Sequence, residues 1–366
     1  MTTLNVIPPP ASINMFSYIG DHQGCGTIRI IYPSLLLNYS RDPKYKFNAY
    51  YSSYFINDIR FYQHFTLVQF QRGCTKEHFK LFKHFCHNIR KQTKTPLIYE
   101  IDDLLMNIPT WNYASDYYNN NGDSIKEMMR IVDGITVSTE ALKDHYKQFN
   151  NNIEVIPNHL PKFIWGDVCP KYDRQPREKK PRIIWAGSEN HFCTPKLSKK
   201  GLKGGDFGSK LLNFIRKTTD IYQWVFFGAL PLEIMDIKDK IEFHPFKPIM
   251  EYPSYLKSLD PDIGMAILEK NVFNDSKSNI KSLEYTTLGI PAVYSNAEPY
   301  KNMKFTCDTE DCIIDRIESL AFNIDLRKEI WEADYNTVKE QLFWEDNDNL
   351  KKYVNSYLKL FKKKIL

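Results

Sequence analysis

Short runs of apolar residues recur along this chain and alternate with longer stretches of mixed polarity. In the first half the runs are Ile13–Gly20, Thr66–Gln71, Leu97–Ile101, Ile135–Ser138 and Ile153–Pro157; in the second they are Ile183–Gly187, Trp224–Gly228, Ile241–Phe246, Ile263–Leu268 and Ala292–Ser295. A strand covered by helices on both faces has no polar side, so unbroken apolar runs of this length predict parallel sheets. Segments such as Lys76–Lys91 and Ser124–Ile131 suit the covering helices. Between the two series lies Lys171–Arg182, KYDRQPREKKPR, polar and punctuated by proline, which reads as a linker. The predicted class is therefore α/β, with two doubly wound domains: 1–170, a linker at 171–182, and 183–345. A closing basic amphipathic helix occupies 346–366. Two such sheets leave a cleft at the carboxyl ends of their strands, where a ligand is expected.

Composition supports two folded domains. A chain of 366 residues exceeds one ordinary core, and 42% hydrophobic residues suffice to build two. The net charge of +5 permits an anionic partner without requiring one. Seven cysteines without a CxxC pair argue for reduced thiols rather than a disulfide framework or zinc site, and so for the cytoplasm. No charged start precedes an apolar core at the N-terminus, and no apolar run reaches eighteen residues, so neither secretion nor a transmembrane segment is expected. The excess of Lys, Asn, Ile, Tyr and Phe suits an AT-rich coding source such as a bacteriophage, in which case the compartment is the host cytoplasm.

The most informative stretch is Asn274–Asn296, NDSKSNIKSLEYTTLGIPAVYSN. A turn-forming entry leads into a helical segment, Gly289 stops it, Pro291 bars its continuation, and AVYS reads as a buried strand. Lys277 and Lys281 stand four residues apart, with Glu284 three further on, so all three share one face. A helix start supplies free N–H groups and partial positive charge; two lysines added there suit a diphosphate, and Glu284 can accept hydrogen bonds from ribose hydroxyls. The plainer reading is a solvated helix face.

KSNIKSLEYTTLGIPAVYSN resembles the nucleotide-sugar-binding segment of GT-B glycosyltransferases of the retaining, group 1 type. In that family a basic pair holds the donor diphosphate and a Glu holds the ribose, which implies these roles for Lys277, Lys281 and Glu284. The family's pattern of two glutamates with seven residues between them is met only at the second position, since Ser276 stands at the first. The resemblance implies a GT-B architecture of two Rossmann-like domains facing each other across a cleft, a last helix that crosses back to the first domain, and no metal or cofactor. A membrane-surface reading of that last helix rests on Lys362, Lys363 and Lys364 beside Leu360 and Phe361.

Four other places carry candidate chemistry. Gly20–Arg29, GDHQGCGTIR, follows a strand, and Gly24 and Gly26 would let backbone approach a ligand, while Thr27 and Arg29 open a helix that could meet an anion; the plainer reading is a strand-to-helix turn, and the resemblance implies a loop that reaches over donor and acceptor. In YEIDDL, Asp102 and Asp103 end a buried strand; there they either cap the next helix or, as the resemblance implies, orient an acceptor hydroxyl. IIWAGSENHF resembles the family's loop against the nucleotide sugar, with Gly187 and Ser188 cradling phosphate and His191 contacting phosphate or sugar. Cys193–Gly205, CTPKLSKKGLKGG, adds four lysines without an acid. It reads as a mobile basic loop that is either solvated or a clamp for a polyanion. Ser138 or Thr139 reads as a helix cap, with Glu140 in the first turn.

These observations lead to a glycosyltransferase that moves a sugar from a nucleoside diphosphate sugar to a hydroxyl acceptor. Two acceptors fit, a surface polysaccharide of the O-antigen type and a hydroxymethylated base in phage DNA, and the basic loop favours DNA. A sugar-nucleotide epimerase or a non-catalytic nucleotide-sugar-binding protein is the alternative class.

Overall fold

The computed structural model describes residues 11–365 except 41–44, 57, 94, 167–171, 173 and 176–178, and at 11, 89, 90 and 361–365 it describes the backbone alone. Part of the expected linker, and the side chains of the Lys362–Lys364 cluster, therefore lie outside what the structure describes. Among those residues no helix is long and apolar enough to cross a membrane.

The chain divides into two compact units. The first comprises residues up to Asp102, Asp123–Ile156 and Leu350–Leu366; the second comprises Asp103–Gly122 and Pro157–Asn349. Both contain a six-stranded sheet whose pairings are all parallel.

The first sheet contains β1 (Ala11–Tyr18), β2 (Tyr45–Ser52), β3 (Leu67–Gln71), β4 (Leu97–Ile101), β5 (Gly134–Val137) and β6 (Ile153–Val155), in the order β2-β1-β3-β4-β5-β6. Every residue of β3, β4 and β5 is buried, as unbroken apolar runs demand. Strand β2 was not among the expected elements. It lies at the sheet edge and exposes Tyr50 and Tyr51, so its sequence alternates instead of running apolar. The closing helix, Asn349–Ile365, counts with this unit. Gln69 donates to the Tyr357 hydroxyl at 2.7 Å, and Leu360 packs so closely on Gly134 that a Cβ there would come within 2.8 Å of it.

The second sheet contains β7 (Arg182–Gly187), β8 (Gln223–Gly228), β9 (Glu242–Pro245), β10 (Ile263–Ala266), β11 (Ala292–Ser295) and a short unexpected β12 (Thr306–Cys307). Its order is β12-β11-β10-β7-β8-β9, so the strand order reverses between β7 and β10. Residues of β7 alternate between two apolar layers. Ile183 and Trp185 pack with Trp224, Phe226 and Met265, whereas Ile184 and Ala186 pack with Val225, Phe227 and Tyr294. Complete burial of each such side chain is worth about 1.5–3 kcal/mol, so the sheet is held from both faces.

The unit boundaries differ from the expected split at 171–182. Trp111 packs with Cys193 and Leu197, which binds 103–122 to the second unit. From Pro157 onward the chain also belongs there, because the Leu160 N–H donates to the Leu342 carbonyl at 2.8 Å.

One expectation about cysteine is corrected. Cys307, at the end of β12, and Cys312, in the first turn of the helix Glu310–Ala321, form a disulfide with Cα atoms 5.5 Å apart. The strand-to-helix turn brings them together, a geometry that the absence of CxxC does not exclude. Reduced thiols thus no longer support a cytoplasmic assignment.

Candidate functional site

In a doubly wound sheet the strand-order reversal leaves room at the carboxyl ends of the two strands flanking it, and ligands settle there. In the second unit that point lies between β7 and β10. Three sequence-predicted segments meet around it: the loop after β7, the turn before the helix Ile280–Thr287, and that helix's first turns.

After β7 the chain passes through Gly187 and an exposed Ser188 into the short turn Glu189–His191. A Cβ at Gly187 would lie 2.6 Å from the Trp185 indole and 3.2 Å from the His191 ring, so this position has no room for a side chain. His191 Nδ1 is 2.6 Å from the Asp206 carboxylate, and the Trp185 ring edge supports it at 5.5 Å. Burial holds the His191 proton affinity below its ordinary value. Lys277 adds to that effect, and Asp206 opposes it.

Asp206 was not anticipated from sequence. It is buried, and its other oxygen accepts from the Glu269 N–H at 2.8 Å and from the Asn274 amide at 2.8 Å. Burial pushes its carboxyl upward, but the His191 hydrogen bond and the Lys277 charge outweigh this and keep it below the usual carboxylate range. One carboxylate thus ties the loop after β7 to the segment after β10. Glu269 in turn accepts from the Trp111 indole at 3.1 Å and from Asn271 at 2.9 Å, while Asn112 donates to the Asn190 carbonyl at 2.9 Å. The segment 103–122 therefore buttresses both loops.

The turn before the helix is firmly built. Asn158 donates to Ser278 at 2.8 Å, and Asn279 is bonded to Gln341. Lys277 stands in this turn, with its ammonium 4.9 Å above the Phe273 ring. Lys281 Nζ lies 2.6 Å from Glu284 Oε2 and 2.8 Å from the Tyr252 hydroxyl. Tyr252 donates to the same Glu284 oxygen at 2.9 Å and stacks on Phe227. Burial and the Glu284 charge keep the Tyr252 phenol protonated well above its ordinary range. Gly289 ends the helix with φ +68, a conformation that favours glycine.

The structure therefore brings Gly187, His191, Lys277, Lys281 and Glu284 toward one end of the second sheet, with Ser188 exposed beside them. The remaining predicted residues belong to other segments. In the first unit, a Cβ on Gly26 would come 1.7 Å from the Asp21 carbonyl oxygen, so Gly26 is required by that close approach. Nothing lies within 4 Å of a Cβ on Gly24. The Gly20–Gly26 loop rests on Gln71, which accepts from Gly20 N–H and donates to the Cys25 carbonyl, both at 3.0 Å.

Arg29 departs from expectation. It is buried and ion-paired to Glu100 at 2.7 Å, with a further bond to the Ile156 carbonyl, so its charge meets a carboxylate of the core and not an anionic ligand. Burial pushes Glu100 up to about 7, against the opposing charge of Arg29. Asp102 caps no helix. Its carboxylate is paired with Arg72, whose backbone adopts φ +52, and its carbonyl accepts from Ser138 at 2.9 Å. Asp103 begins the 103–122 segment and is half-buried. Of the two cap candidates, Thr139 caps the helix Glu140–Tyr146, accepting from Leu142 N–H at 3.2 Å, while Ser138 bonds to Asp102.

The basic loop is more structured than expected. It carries the one-turn helix Pro195–Ser198, is closed by pairing of Phe192 with Gly205, and packs Leu197 and Leu202 with Trp111. Gly204 adopts φ +132, and a Cβ there would come 2.5 Å from the Trp111 ring. Lys196, Lys199, Lys200 and Lys203 remain exposed.

No protein-family model matches the chain, and no curated protein does either. Solved structures do. An O-GlcNAc transferase mutant from Thermobaculum terrenum matches at 10% identity over 98% of this chain and 69% of that one, with a TM-score of 0.52. An α,α-trehalose 6-phosphate synthase from Burkholderia multivorans matches at 9% identity over 97% and 99%, with a TM-score of 0.53. At such identities the likeness shows the fold, and that fold is GT-B.

Proposed function

We propose that this chain is a glycosyltransferase that uses a nucleoside diphosphate sugar and transfers the sugar to a hydroxyl acceptor. The observation that carries the reading is the meeting of Lys277, Lys281, Glu284 and the His191–Asp206 pair near the β7–β10 reversal. Lys277 and Lys281 neutralise the diphosphate as the glycosidic bond breaks, Glu284 accepts from the ribose, and Gly187 and Ser188 let backbone N–H groups approach phosphate. In line with the resemblance to retaining GT-B enzymes, the reaction retains anomeric configuration, and it needs no metal, since Lys277 and Lys281 supply the charge that meets the leaving group. Asp102 and Asp103 orient the acceptor.

Exposed lysines of the Cys193–Gly205 loop favour a polyanionic acceptor, with DNA carrying a hydroxymethylated base the first to test against a surface glycan. The experiment is a panel of labelled nucleotide sugars, assayed with and without each acceptor in the presence of EDTA. Transfer to an acceptor supports the reading. Conversion of donor to a second sugar nucleotide without acceptor indicates an epimerase, and binding without turnover indicates a binding protein.

A further inference from the structure

His191 is held at one nitrogen and open at the other. Nδ1 lies 2.6 Å from Asp206, which fixes the proton on that side, while Nε2 has no hydrogen-bond partner among the described residues. The charged groups that act on this ring are Asp206 from the loop before the helix Ser209–Lys217, Lys277 from the turn after the helix Val272–Asp275, and Lys281 from the helix Ile280–Thr287. Trp185 of β7 adds an uncharged ring edge. Tyr300 lies within electrostatic reach of Asp206 and is itself held protonated by burial. Without an anion, the nearby lysines and burial disfavour a third positive charge, so the imidazole is neutral near pH 7. A diphosphate beside Lys277 reverses that balance, because it offsets the lysine charge and attracts a proton.

We propose that His191 and Asp206 form a proton-loading pair. Asp206 fixes Nδ1–H, and Nε2 takes one proton from solvent when a diphosphate binds at the Lys277 turn, then returns it when the nucleoside diphosphate leaves. The site thus presents its third cation only when an anion is there to meet it. This inference rests on the donor-site reading and adds to it a positioning role for Asp206.

The test is calorimetric titration of the intact protein with UDP, GDP, ADP, CDP and dTDP at pH 7.5, in PIPES and in Tris. Their different ionisation heats report the protons taken up. The expected result is an uptake of roughly half to one proton per diphosphate bound. That uptake should vanish in His191→Asn and shrink in Asp206→Asn, which keeps a hydrogen-bond acceptor but loses the charge. Nitrogen-15 spectra of the imidazole should show an Nδ1–H tautomer in the free protein and imidazolium in the complex, a signature that a purely structural role for Asp206 would not produce. If Lys277→Ala weakens binding but the wild type takes up no proton, or if His191→Asn takes up as many, the proton-loading inference is wrong and the donor site stands. If none of the five diphosphates binds, or Lys277→Ala binds as tightly as wild type, the donor-site reading itself fails and this inference with it.

Discussion

The Lys281 ammonium lies 2.6 Å from the Glu284 carboxylate, so the cation expected to hold a diphosphate is already engaged with the acid expected to hold a ribose. Tyr252 joins both, accepting from Lys281 and donating to Glu284. The three side chains therefore act as a unit. Lys281→Ala and Glu284→Ala should each lower kcat/KM for donor by about 1.5–3 kcal/mol, with the fold intact. Their double variant should lose less than the sum, with a coupling above about 0.5 kcal/mol. Tyr252→Phe keeps the stacking on Phe227 and should cost about 1 kcal/mol. Unchanged kinetics in both alanine variants would remove the donor-site argument.

Asp102 and Asp103 should separate. The Asp102–Arg72 pair is mostly buried, with side chains 9% and 14% exposed, so Asp102→Asn removes the charge from one side of that buried pair and should lower stability by about 1–3 kcal/mol. If either residue orients the acceptor, its Asn variant will depress transfer more than donor hydrolysis. Comparing the two rates with thermal melts distinguishes these roles, and equal, small effects on both rates count against an acceptor role.

Stability should fall as pH rises through neutrality, in part because of Asp334. Burial pushes this carboxyl up to about 7, although it accepts from the Lys304 N–H. A carboxyl raised above its unfolded value binds its proton more tightly when folded. Its contribution is therefore complete below about pH 4 and lost through pH 7, a decline of about 2–4 kcal/mol. Asp334→Asn keeps an oxygen acceptor and should flatten that decline. Urea midpoints at pH 5 and pH 8 test this, and an unchanged pH dependence in the variant refutes it.

Salt separates the acceptors. A protein that neutralises DNA phosphates loses affinity steeply with salt, and replacing Lys196, Lys199, Lys200 and Lys203 with alanine should flatten the slope by up to about 0.9 for each phosphate no longer neutralised. A neutral glycan predicts no such slope. If wild type binds modified DNA no better than the fourfold variant at any salt, the DNA reading is abandoned.

Ten of the twelve strands among the described residues were legible, most of them because strands buried on both faces are written as continuous apolar runs; β9, an edge strand with alternating burial, and the partly buried β6 are exceptions to that reason. The two that escaped are β2, whose edge position makes its polarity alternate, and β12, only two residues long. In the candidate site, Lys277, Lys281 and Glu284 were readable because they lie within one turn and helix. Asp206 was not, since its meaning depends on an insertion folding back to His191 and on Asn274 far along the chain. Arg29 misled for the same reason. An arginine opening a helix after a glycine-rich loop looks like an anion ligand until Glu100, 71 positions away, is found beneath it.

The interleaving of the two units limits how this protein can be taken apart. The backbone passes from one to the other between Asp102 and Asp103, between Gly122 and Asp123, between Ile156 and Pro157, and between Asn349 and Leu350. Truncation at the proline-punctuated stretch would strand the Trp111 segment on the wrong fragment and deprive the first sheet of Tyr357 and Leu360. A separable second unit would have to be built by grafting 103–122 onto 157–349 through a new connection. Recombination with a relative would likewise need matched exchange points at several seams, so the protein inherits as one piece what its sequence presents as two.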